Sequence, residues 1–211
     1  MTLRELSALV SLIIVVFGTI WYICLVLWGQ KVKPVLATWI VLSGTMTLGF
    51  VTYLTAPKHS LISNIGNTSG VITTLSVFLA VAWKNMKGGK RVQFNRFQFW
   101  SLMISLAIAI LWIAIVWGFK GTGIVPNILT QILMAVGYIV TAERLWYATK
   151  NTESLMLWWC VAISSAIALY TAILSHDGLA VLYSVRATIT SGTLVWLMYR
   201  ADKKSQLIIA S

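Results

Sequence analysis

Of the 16 Lys and Arg residues in this chain, Arg186 alone falls inside a long apolar run. It lies about eight residues from the start of that run, roughly 12 Å in at the helical rise. A guanidinium at such depth costs at least about 2.5–3.5 kcal/mol and faces the interior of a bundle. One reading is capture of an anionic or hydroxyl-rich solute by its planar fork. The other is a structural tie to carbonyls and hydroxyls, or snorkelling to the nearer surface. Glu143 lies close to the opposite end of another run. A carboxylate there either titrates and couples protons or sits at the interface paired with a loop lysine. No direct Glu143–Arg186 pair is expected.

The run holding Glu143 also carries Asn127, Gln131, Tyr138 and Thr141. The first three share one helical face, and Thr141 follows one turn later. In the next run Trp158, Ser165 and Thr171 fall close to one face, with Trp159 off it. Arg186, Asn127, Gln131, Tyr138, Thr141, Trp158 and Ser165 therefore form a candidate substrate-binding set, with Glu143 a candidate proton-coupling group. The same pattern also suits ordinary interhelical hydrogen bonding, worth about 0.6 kcal/mol per contact.

Other chemistries find no residues. The two histidines, His59 and His176, both fall in loops, which argues against paired haem ligation. No lysine lies in an apolar run, so a retinal Schiff base has no anchor. Nucleophile-elbow, zinc and nucleotide-loop motifs are absent. No enzyme, metal or cofactor is expected. Cys24 and Cys160 sit in apolar runs and read as small packing residues. The formal charge of +11 does not call for nucleic acid, because the basic residues sit in short loops between the runs.

Those runs set the architecture. The chain is 59% hydrophobic and 10% charged, with a mean hydropathy of +0.86. A hydrocarbon core about 30 Å thick takes roughly 20 apolar helical residues. Runs of that length without period-two alternation read as helices, not barrel strands. Seven spans are predicted, roughly 6–28, 35–56, 62–83, 97–118, 125–147, 154–175 and 179–199. Asn64, Gly66, Asn67 and Gly70 suggest that the third helix starts near Gly70. The first span is too long for a signal h-region and is not followed by a small-residue cleavage site.

Twelve basic residues collect on one side: Lys31, Lys33, Lys84, Lys87, Lys90, Arg91, Arg96, Arg144, Lys150, Arg200, Lys203 and Lys204. Arg4, Lys58 and Lys120 lie on the other. The positive-inside rule then places the N-terminus outside and the C-terminus in the cytoplasm. Trp28, Trp83, Trp146, Trp196 and Tyr199 fall near the inner ends as interfacial aromatics. The basic loop around Gly88-Gly89 reads as a topology determinant or a lipid headgroup contact. Asn67-Thr68-Ser69 matches the glycosylation pattern.

An internal repeat is visible. Gly18 to Trp39 and Gly137 to Trp158 have one spacing, and Lys31 and Lys150 stand equally far before the two tryptophans. Tyr53 and Tyr170, and Trp83 and Trp196, fall at comparable places in the second and third helices. The expected fold is an all-α integral membrane bundle. Its seven transmembrane helices form two three-helix repeats joined by a linker helix (3+1+3). The units are 1–95, the linker 96–120 and the second unit 121–211. Parallel repeats of this kind occur in transporters.

This plan resembles the SWEET sugar transporters and the wider PQ-loop superfamily. Arg144, Lys150, Glu153-Ser154, Trp158 and Leu169-Tyr170 follow that superfamily's basic loop, turn and aromatic second helix. Lys33-Pro34 through Thr38-Trp39 is similar to a stretch in small bacterial PQ-loop-like membrane proteins. Glu153 to Tyr183 also resembles the bacterial nicotinamide-riboside uptake family, with Ser154 where a Trp is expected. The name-giving Pro-Gln pairs are missing: Tyr22-Ile23 and Thr141-Ala142 occupy their places. No span has a central proline, so Gly18, Gly44, Gly137 and Gly192 either bend the helices or let them pack closely. The resemblance implies a small-solute transporter in a bacterial inner (plasma) membrane, partnered by the bilayer and a small polar solute, with a homo-oligomer open. The alternative is a non-transporting membrane protein, either a partner-binding subunit or a sensor.

Overall fold

The computed structural model describes residues 1–29, 32–55, 60–88, 94–118 and 124–210. Lys31, Pro57, Lys58, His59, Gly89, Lys90, Arg91 and Lys120 lie outside the described residues. Among the described residues the chain forms α1 (Leu3–Trp28), α2 (Leu36–Leu54), α3 (Ile65–Lys87), α4 (Arg96–Ile113), α5 (Ile124–Tyr147), α6 (Leu155–Leu174) and α7 (Gly178–Ala210). Each is long and apolar enough to cross a membrane. All seven sequence spans have their helix. A π-helical turn, Ala114–Gly118, continues α4.

Local chemistry explains the boundaries. Thr2 and Glu5 form a capping box at the start of α1, and Asn95 and Gln98 do the same for α4. Ser154 caps α6 through the Leu157 N–H. His176 takes a φ of 50° and ends α6, one of the few residue types that enter this region readily. Helix α3 begins at Ile65, not near Gly70. Its glycines are retained because Gly66 and Gly70 both lie against Tyr183 of α7, where a Cβ would come within 3.0 Å and 2.8 Å of that ring and its hydroxyl. Asn67 is consequently inside α3 and 3% exposed, which closes the glycosylation motif.

Helices α1 and α2 both pack on α3, and α5 and α6 both pack on α7. Between these groups α1 lies on α6, and α2 lies on α5. Two glycines permit these crossings. A Cβ on Gly18 would meet the Cys160 Cβ at 2.5 Å, and one on Gly137 would meet the Leu42 and Val41 side chains at 2.8 and 3.1 Å. Gly44 and Gly192 face open space, so close packing does not account for them. Hydroxyl pairs run along the α1–α6 seam, Ser7 with Thr171 at 2.8 Å and Ser11 with Ser164 at 2.9 Å. Helix α4 is peripheral: Ser101 and Trp112 are its buried residues, and the Trp112 indole N–H donates to Thr52. Cys160 is buried as expected, whereas Cys24 is exposed on α1.

Trp28, Trp83, Trp146, Trp196 and Tyr199 are exposed at one end of the bundle. That end carries the described Lys and Arg clusters and is called the basic end below. The other is the N-terminal end.

Candidate functional site

A cavity of about 30 Å³ lies where α1, α2, α3, α5, α6 and α7 converge. It has room for roughly two water molecules. Its aromatic wall is Trp39, Tyr138, Trp158 and Tyr183. Ser69, Thr73, Thr74, Ser164 and Ser165 contribute hydroxyl groups. Trp39 and Trp158 stack with centroids 6.3 Å apart and an interplanar angle of 25°. Tyr138 meets Trp158 edge-on at 5.6 Å.

Of the sequence-derived set Tyr138, Trp158 and Ser165 line the cavity, and Arg186, Gln131 and Asn127 form a chain beside it, behind Tyr138 and Tyr183. Arg186 donates through Nε to Gln131 Oε1 at 2.8 Å, and Gln131 Nε2 donates to Asn127 Oδ1 at 3.3 Å. The guanidinium carbon lies 5.6 Å from the centre of Tyr138 and 4.9 Å from that of Tyr183. These rings offer π faces to the cation. The terminal nitrogens of Arg186 are buried, and no group among the described residues accepts from them. Trp158 and Ser165 line the cavity directly. Thr141 lies elsewhere on α5, hydrogen-bonded to Thr38 of α2 at 3.0 Å. Glu143 is half-buried near the basic end of α5 and makes no ion pair among the described residues. No described loop lysine pairs with it, and Lys31 and Lys90 lie outside the described residues.

Two carboxylate clusters flank the cavity. At the basic end Glu153, 7% exposed, accepts from Tyr22 Oη at 3.0 Å and pairs with Arg144. Arg144 also donates to the Lys33 carbonyl, and the Lys33 N–H donates to Thr152 O at 2.9 Å. The α1–α2 connection is thereby fastened to the α5–α6 connection. Burial is the largest influence on Glu153 and raises its carboxyl above the ordinary value, while Arg144 and the Tyr22 hydrogen bond act in the opposite sense.

At the N-terminal end Asp177 Oδ2 accepts from Tyr53 Oη and Ser63 Oγ, both at 2.6 Å. Its other oxygen accepts the Ala180 N–H at 3.1 Å and caps α7. The Ser60 N–H donates to the Tyr53 hydroxyl at 2.8 Å. This cluster joins α2 and the start of α3 to the start of α7.

Sequence reasoning did not single out Tyr22, Tyr53 or Asp177 as functional. It treated Glu153, Trp39 and Tyr183 as markers of resemblance or repeat. The matched spacing of Trp39 and Trp158 in the sequence was the available signal. No protein-family model, curated protein or solved structure matches this chain.

Proposed function

We propose that the protein is a small-solute transporter working by alternating access. Its two moving bodies are α1–α3 and α5–α7, with α4 as the linker. The observation that carries this reading is a central cavity closed at both ends by carboxylate clusters, each tying one body to the other. The repeat is supported by equivalent packing: α1 on α6 matches α5 on α2, and Gly18 against Cys160 matches Gly137 against Val41. The layout resembles that of the SWEET and PQ-loop proteins. The basic end faces the cytoplasm by the positive-inside rule. Transport then consists of breaking one cluster while the other holds, so that the Arg186 and tryptophan region meets each side in turn.

The size of the cavity favours a second reading. About 30 Å³ is too small for an organic solute. A rigid sensor or partner-binding subunit keeps such a cavity shut. Alternating access requires that it widen.

The test needs no knowledge of the solute. Ser165→Cys is placed in a chain carrying Cys24→Ser and Cys160→Ala. A membrane-impermeant maleimide is then applied to vesicles of each orientation. A transporter labels from both sides. Protection from both sides, or reaction from one side only, rejects alternating access.

A further inference from the structure

We infer that the cargo of the central site is a small organic acid whose carboxylate docks on the Arg186 guanidinium. This rests on the transport reading above and names its substrate class.

The argument begins with a count of counter-ions. The chain has five acidic residues, Glu5, Glu143, Glu153, Asp177 and Asp202, and all are described. Glu5 is spent on the capping box of α1. Glu153 is held by Arg144 and Tyr22. Asp177 is held by Tyr53 and Ser63 at the start of α7, nine residues and roughly 13 Å along the helix from Arg186. Glu143 and Asp202 belong to the basic end. None of these five side-chain carboxylates pairs with Arg186 among the described residues. One of its nitrogens donates to an amide, and two tyrosine faces flank it, but its two terminal nitrogens find no acceptor among the described residues.

Those two nitrogens form the edge of the fork that takes a carboxylate through two parallel hydrogen bonds. A hydroxyl-rich neutral solute can satisfy the donors and still leaves the charge uncompensated. A lipid phosphate belongs to the membrane surface, about 12 Å from this depth. The neighbouring wall describes the rest of the cargo. Tyr138 and Tyr183, which contact Arg186, also line the cavity with Trp39 and Trp158. A flat apolar body suits these rings, and the hydroxyls of Thr73 and Ser165 suit a polar substituent.

The experiment uses the full chain purified in detergent in a sulfate buffer of fixed ionic strength. Melting temperature is followed against benzoate, lactate and pyruvate, each beside its neutral amide, with sucrose and sodium chloride as further probes. Wild type, Arg186→Gln and Arg186→Lys are compared. At least one acid should raise the melting temperature saturably while its amide does not, because a ligand of the folded state stabilises by mass action. Arg186→Gln should melt at or above the unliganded wild type, having lost a buried charge, and should lose the response to the acid. Arg186→Lys should keep the fold and weaken the apparent acid affinity by about tenfold or more, since a point charge cannot replace the fork.

The inference is overturned by an amide or sucrose that stabilises as well as the acids, by a response surviving Arg186→Gln, or by no response to any acid. A chloride shift equal to the acid shift overturns the organic body. If Arg186→Gln does not fold, Arg186→Lys decides, and an unweakened acid affinity there rejects docking on the fork. Failure of the transport reading has a separate signature. An acid response together with one-sided Ser165→Cys labelling describes a carboxylate-binding protein that does not transport.

Discussion

The two ends of the bundle solve one problem with different chemistry. Each has a tyrosine from the first half donating to a carboxylate of the second, Tyr22 to Glu153 and Tyr53 to Asp177. At the basic end the carboxylate is also paired with Arg144 and is almost wholly buried. At the N-terminal end Asp177 is held by hydroxyls and by the first turn of α7, with no cation among the described residues. A buried ion pair is costly to break from one side, because the abandoned charge stays desolvated. A hydroxyl on a carboxylate can be replaced by water at modest net cost. Breaking the N-terminal cluster should therefore cost less than breaking the one at the basic end.

The largest expected effect comes from stranding the buried carboxylate. Arg144→Ala leaves Glu153 without its cation and should cost about 3 kcal/mol by chemical denaturation in detergent. It should also raise Ser165→Cys labelling from the basic side alone. Glu153→Gln removes the charge and keeps an acceptor for Tyr22, so its loss should be smaller. If Arg144→Ala proves no worse than Glu153→Gln, the contrast between the ends is gone.

Asp177→Asn should cost about 1.5–3 kcal/mol through weakened charge-assisted bonds, and raise labelling from the N-terminal side. Tyr53→Phe should cost about 1 kcal/mol. Labelling raised from the basic side in either variant, relative to the unmodified clusters, would contradict the assignment of this cluster to its own end.

The ion pair also carries a pH signature. Burial raises the Glu153 carboxyl above its ordinary value of 4.5, so the folded chain holds that proton more tightly than the unfolded one. Its contribution to stability is complete below pH 4.5 and is lost as the pH climbs through the raised value. The melting temperature of wild type relative to Glu153→Gln should therefore fall as pH rises from that point. A rise instead would mean that Arg144 outweighs burial.

The smallest contrast lies within the helices. Gly18→Ala drives a methyl into the Cβ of Cys160, an atom fixed to the α6 backbone, and should cost about 1–3 kcal/mol. Gly137→Ala meets the mobile end of Leu42 and should cost less. Gly44→Ala faces open space and should stabilise by up to about 1 kcal/mol. Thermal denaturation of the three variants ranks them.

The helices were legible because lipid-length apolar runs and loop charges report position along the membrane normal. The face bearing Asn127, Gln131 and Tyr138 was legible for a similar reason: one helix brings those residues together through its own period. What the sequence hid was partnership between distant segments. Nothing local to Tyr53 tells that it meets Asp177, or local to Tyr22 that it meets Glu153. Nor did the polar start of α3 reveal that Gly66 and Gly70 serve Tyr183 and not a loop. The sequon at Asn67 carried little weight, because a three-residue pattern is blind to burial. Glu143 drew attention for its place in an apolar run, while Glu153, the buried carboxylate of this end, stood in a connection that looked polar and ordinary.

The stacked pair of Trp39 and Trp158 has an optical consequence. The two indoles come from opposite halves and meet at the cavity wall. Near-ultraviolet circular dichroism responds to fixed aromatic packing of this kind. The difference spectrum between wild type and Trp39→Phe isolates the pair from the other tryptophans. Any rotation of one half against the other changes its amplitude. The pair is thus a label-free gauge of how α2 lies against α6, readable in stopped flow.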